Sequence, residues 1–119
     1  MEKVNLKEKF GLFSEQWSPK IIAEVNDTTV KIAKLLGEFE WHTHEAEDEL
    51  FFVVKGSVEI HTREKVFTLS EGEMLVVPKG VEHMPVARAE VEVMMIEKNT
   101  TVNTGGNVSE RTKTSLDYL

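Results

Sequence analysis

The chain has 119 residues, 40% of them hydrophobic and 29% charged, with no cysteine and a formal net charge of −7. That length fits one domain, residues 1–119, able to bury roughly two-thirds of its unfolded surface without disulfides or a structural metal. The acidic balance, with no Lys/Arg stripe against it, argues against nucleic-acid partners, and the lack of cysteine removes thiolate chemistry and suits a reducing cytoplasm.

The N-terminus has no apolar signal segment and no run approaches a membrane span, so a cytoplasmic protein with no membrane partner is expected. Residues 1–19 carry Leu6, Phe10, Phe13 and Trp17 among charges. They predict a short helical or irregular segment that lays aromatics over another element and ends at Ser18-Pro19. From Ile21 onward the pattern is short β-like runs over 21–25, 29–36, 39–44, 49–54, 57–62, 66–69, 73–77, 81–87 and 91–97, separated by Gly, Pro and charged turns. Such spacing predicts an all-β sandwich or small barrel. The runs at 50–54 (LFFVV) and 74–77 (MLVV) do not alternate, so one face looks into the barrel and the other needs cover. That cover is the N-terminal segment or a second copy, and a homodimer is expected. The tail from Asn99 is polar with a Gly-Gly turn; Leu116 and Tyr118 are its candidates for docking, and a solvated tail fits the composition equally.

Two of the four histidines, His42 and His44, are two residues apart. On the predicted strand 39–44 they share a face, close enough to hold one small cation. Glu49 follows the bend 45–48 and opens the next apolar run, and His83 opens a later one. Three imidazoles and a carboxylate make a mixed N/O donor set that suits a divalent transition metal (Fe, Mn, Ni, Co, Cu or Zn) rather than Ca or Mg. Glu40 has the same parity as His42 and is the candidate for proton transfer or a substrate contact, although a rim carboxylate in water fits it too. His61 falls beside Glu59 on an exposed face, and Arg63 and Arg88 read as surface charges. Phe51, Val53 and Val81, with some of Met74, Met94 and Met95, would line a small apolar pocket for a compact ligand.

The residues around these positions form two motifs. The first is Gly37, four residues, His42-x-His44, four residues, Glu49, six residues, Gly56; the second is Gly72, five residues, Pro78-x-Gly80, two residues, His83. Together, with fifteen residues between them, they resemble the paired motifs of the cupin superfamily and cover residues 37–87. The first spacer is one residue short of the family pattern, and Ala87 stands where its closing Asn is found; neither change removes a ligand. The resemblance implies a double-stranded β-helix (jelly-roll barrel) with metal held by His42, His44, Glu49 and His83. Its spacing selects Glu49 over Glu45, Glu47 and Asp48, which then read as a solvated acidic lip. Gly56 and Gly72 suit tight turns with positive φ, and Pro78 with Gly80 a rigid bend that aims His83 inward.

Two functions compete on these grounds. One is a metal-dependent enzyme acting on a small molecule by dioxygenase, isomerase or lyase chemistry; the other is a non-catalytic barrel that binds or senses a small ligand.

Overall fold

The computed structural model describes residues 1–119. A short helix α1 (Leu6–Phe10) precedes eight strands: β1 (Lys20–Val25), β2 (Thr28–Glu38), β3 (Glu49–Lys55), β4 (Ser57–Thr62), β5 (Val66–Ser70), β6 (Met74–Val77), β7 (His83–Lys98) and β8 (Asp117–Tyr118). Antiparallel β2 and β7 run side by side for most of their length, from Thr28↔Lys98 to Glu38↔Val86. The first half of β7 pairs β4, with Thr62 opposite His83, and its second half pairs β3, with Glu49 opposite Glu97. Two sheets, β5-β4-β7-β2 and β6-β3-β7-β2-β1-β8, therefore share the β2/β7 pair and fold over one another. This is the double-stranded β-helix that the motifs imply.

Strand parity decides what lies inside. Ala33, Leu35, Phe51, Val53, Val58, Ile60, Val91 and Val93 all belong to the central apolar cluster. Each of these Val, Leu, Ile and Phe side chains contributes about 1.5–3 kcal/mol on burial. Ile32, on the opposite face of β2, is also fully buried, as is Phe10 in α1. The N-terminal segment covers that face and is anchored along β2. Trp17 N donates to Lys34 O at 2.9 Å, Trp17 Nε1 to Leu36 O at 2.9 Å, and Lys34 Nζ to Phe13 O at 2.7 Å. The outer face of β3 and β6 lacks such cover: Leu50 and Phe52 are half-buried, while Met74 and Val76 are 61% and 48% exposed.

Three expected strands take another form. Residues 39–44 are not a strand; only His42 forms a bridge, opposite His83. Phe39 N and His42 N still donate to Pro85 O and His83 O (3.0 Å each), so the segment follows β7 without completing a ladder. The runs 81–87 and 91–97 are one bent strand, β7. Arg88, Ala89 and Glu90 read as a turn because they are polar and small, but they are the exposed outside of a bend. Opposite them the β2 register slips between Leu35 and Gly37. A bulge of this kind lets one strand serve two sheets. Gly56 and Gly72 take φ values of 94° and 81°, as their turns require.

Candidate metal centre

His42, His44, Glu49 and His83 converge inside the barrel. Each offers one ligand atom, these atoms all lie within 4.8 Å of one another, and all four residues are buried. Different elements supply them: the irregular segment brings His42 and His44, β3 brings Glu49, and β7 brings His83. His42 and His83 are joined backbone to backbone, each N–H donating to the other's carbonyl at 3.0 and 2.9 Å. The Pro78–Gly80 turn is fastened to the same segment, because Gly80 N donates to His44 O at 2.8 Å. Asp48 is more than a solvated bystander, since its Oδ1 accepts from Lys79 N at 2.9 Å and holds that turn. Glu47 accepts from Thr100 Oγ1 at 3.1 Å, and Glu45 alone of the acidic lip is left in solvent without a partner.

The hydrogen bonds fix the imidazole tautomers. His42 Nδ1 donates to Glu40 O at 2.8 Å and His83 Nδ1 to Val81 O at 2.9 Å. Each ring then presents an Nε2 lone pair to the interior, the usual state of a metal-binding histidine whose other nitrogen is tied to a carbonyl. Yet His83 Nε2 lies 3.2 Å from Glu49 Oε1. A lone pair facing a carboxylate oxygen is repulsive unless a cation, a proton or a metal ion, stands between them. His44 strengthens the case: its Nε2 is 3.5 Å from Glu49 Oε2, and both its buried ring nitrogens lack a hydrogen-bond partner. Buried polar atoms without partners are costly, and a shared metal ion would satisfy them. Donors about 2.0–2.2 Å from a metal lie about 3–4.4 Å from each other, close to the observed spacing.

Burial, then the charge of neighbouring His83, lowers the pKa of His42 from 6.5 to about 4, so its ring is neutral at physiological pH. Burial pushes the Glu49 carboxyl up, but the neighbouring Glu97 carboxyl and the His44 and His83 rings outweigh it and hold Glu49 well below the ordinary range. Glu97 goes the other way: burial and the Glu49 charge raise it well above that range. A neutral His42 ring beside an ionised Glu49 carboxylate is the protonation state that a divalent cation requires of its ligands.

A cavity of about 40 Å³ adjoins the cluster, bounded by His42 and Glu49 on one side and by Leu35, Phe39, Phe51 and Met95 on others. Of the expected lining, Phe51 and Met95 face this cavity. Val53 is fully buried core, Val81 lines a separate groove beside Arg63 and Glu82, and Met74 points outward. Arg63 is paired with Glu82 and lies over Trp41 at 3.7 Å, while Arg88 and His61 both bind Glu59.

Sequence reading missed two features. Lys31 and Glu97 are buried in the same cavity and paired at 2.8 Å. The second is where the tail goes: it roofs the cavity, with Leu116, a named docking candidate, and Asn103, which the sequence did not single out, lining it. Gly106 N donates to Thr43 O (3.1 Å) and Asn107 Nδ2 to Trp41 O (2.7 Å). A Cβ on Gly105 would collide with the Thr43 carbonyl, so the close approach requires glycine. Glu40 is not one of the four converging residues. Its carboxylate accepts from Ser109 Oγ at 3.0 Å, and Arg111 donates to Glu38 O at 2.9 Å. Tyr118 docks as expected: it pairs with Ile21 in the short parallel β8–β1 ladder, and its hydroxyl donates to Glu24 Oε1 at 2.9 Å.

A family model described as a cupin domain matches residues 29–97. A relative from Bacillus subtilis (strain 168), the uncharacterized protein YdbB, is 39% identical over 79 residues, 66% of this chain. The match spans 64% of that relative's length. Among solved structures, a cupin-2 domain containing protein from Shewanella frigidimarina NCIMB 400 is 48% identical with a TM-score of 0.79, over 80% of this chain and 93% of that one. Protein NMB1881 from Neisseria meningitidis is 36% identical with a TM-score of 0.76, over 82% and 99% of the two chains. The tail that roofs the cavity lies beyond the matched residues 29–97, while the four converging side chains lie within them. The chain belongs to the cupin family.

Proposed function

We propose that His42, His44, Glu49 and His83 hold one divalent transition-metal ion, and that the chain is a metal-dependent enzyme acting on a compact small molecule. The observation that carries this reading is the unsatisfied centre: lone pairs of His83 and Glu49 face each other, and His44 has two buried nitrogens without partners. Bound there, the ion supplies a Lewis acid with open coordination positions, suited to dioxygenase, isomerase or lyase chemistry. The chain's own residues do the rest. The Glu40 and Val81 carbonyls orient His42 and His83, while Phe39, Phe51 and Met95 keep water out. Glu40, two residues before His42 and held by Ser109 Oγ, takes or returns a proton when Ser109 releases it. The small, largely apolar cavity also supports a second reading, a non-catalytic barrel that binds a small ligand. The single domain, cytoplasmic location and homodimer belong to the same proposal, with the outer face of β3 and β6 as the contact surface.

Metal analysis of protein purified without a chelating tag tests the centre, with about one equivalent per chain expected. Less than about a tenth of an equivalent of every transition metal would overturn it. With metal present, turnover that falls in Glu40→Gln without loss of metal supports the enzyme. Tight binding of one ligand with no turnover supports the second reading.

A further inference from the structure

Lys31 and Glu97 put charge where the barrel is otherwise apolar. Their neighbours on the same inner face are Ala33, Leu35, Val93 and Met95, all buried. The two side chains are 5% and 3% exposed. A lysine ammonium has three donors. The protein gives Lys31 a single acceptor, Glu97 Oε1 at 2.8 Å, so two donors remain open in a cavity that His42 and Glu49 also line. A buried ion pair is seldom a net gain over apolar packing, so a half-satisfied one beside a reactive centre points to a ligand.

Charge and size define that ligand. Counting Lys31 and a divalent ion against Glu49 and Glu97 leaves the loaded pocket with net positive charge, which an anion balances. The cavity of about 40 Å³ has room for roughly three water-sized groups. We propose that Lys31 is the carboxylate-binding residue of this pocket, and that the ligand is a small metal-chelating carboxylic acid of the 2-hydroxy or 2-oxo class. One carboxylate oxygen takes the open donors of Lys31, and the remaining oxygens face the metal position. The inference rests on the metal reading above and adds the chemical class of the ligand to it.

The test uses Zn²⁺-loaded full-length protein, with glycolate as the acid and glycolamide as its uncharged counterpart, both measured by calorimetry alongside metal content. In Lys31→Gln, glycolate binding should weaken about tenfold or more while glycolamide binding and zinc content stay at wild-type values. Lys31→Met/Glu97→Leu, which removes both buried charges together, should show the same selective loss. In the wild type, the Lys31 Nζ resonance should shift on adding glycolate and not on adding glycolamide, a readout that needs no variant to fold. Equal losses for both compounds, or an unmoved Lys31 resonance with zinc bound, would overturn the carboxylate subsite and leave the metal centre standing. Failure of the wild type to bind zinc would overturn the metal reading and this inference with it.

Discussion

Acidification should destabilise the metal-free protein through His42. The unfolded chain protonates this ring near pH 6.5, whereas the folded barrel resists until about pH 4 because the ring is buried and faces His83. The unfolded state therefore binds the extra proton between those values. Stability is fully present above pH 6.5, is lost as pH falls towards 4, and is constant below. At about 1.4 kcal/mol per pH unit, this single ring costs about 3 kcal/mol across that window. Urea unfolding of EDTA-treated protein, from about pH 7.5 down to about pH 4, measures the effect, with the m-value checked for constancy. Glu97 titrates in the opposite sense, since its raised pKa stabilises the fold as pH falls, so wild type alone cannot isolate His42. His42→Asn provides the difference, because an amide N–H can still donate to Glu40 O without titrating. Wild type should lose about 3 kcal/mol more than the variant over the window. Parallel stability curves for the two proteins would refute the reasoning.

Lys31→Met leaves Glu97 buried without its cation and should cost about 3–5 kcal/mol in urea unfolding at neutral pH; the loss should shrink as pH falls, because burial already raises the Glu97 carboxyl and protonation removes its unpaired charge. Phe51→Ala empties the wall of the cavity and should cost about 3–5 kcal/mol in the same assay. Gly105→Ala forces a methyl into the Thr43 carbonyl; the tail should lift, and trypsin should cut after Arg111 and Lys113 faster than in wild type, as limited proteolysis would show. Val76→Glu puts a charge on the open β3/β6 face, and light scattering should find the proposed dimer for wild type and a monomer for the variant.

The site was legible where it depends on short spacings. His42-x-His44, the interval to Glu49 and the Pro78–Gly80 turn before His83 lie in two compact stretches, and the barrel brings those stretches together. The reason first assigned to the pairing was incomplete. His42 and His44 share a site without a regular strand, because backbone bonds to His83 and Gly80 fix them instead. Lys31 was not legible. In TVKIAKLL a lysine between Val30 and Ile32 looks solvent-facing, yet Ile32 is buried from outside by the N-terminal segment while Lys31 turns inward to Glu97, 66 residues away. Glu97 does carry a local signal, since it shares parity with Val91, Val93 and Met95, all buried. The tail was legible only at Leu116 and Tyr118, which dock; the rest left no pattern, because it docks through polar bonds to backbone atoms of Trp41 and Thr43, which any sequence offers.

The most direct measurement is metal content per chain in wild type, His44→Ala and His83→Ala, by elemental analysis with circular dichroism to verify the fold. One transition-metal ion per wild-type chain, with most of it lost in both folded variants, is the predicted result. Full metal occupancy in both variants, or none in wild type, would contradict the assignment of His42, His44, Glu49 and His83 as a metal centre.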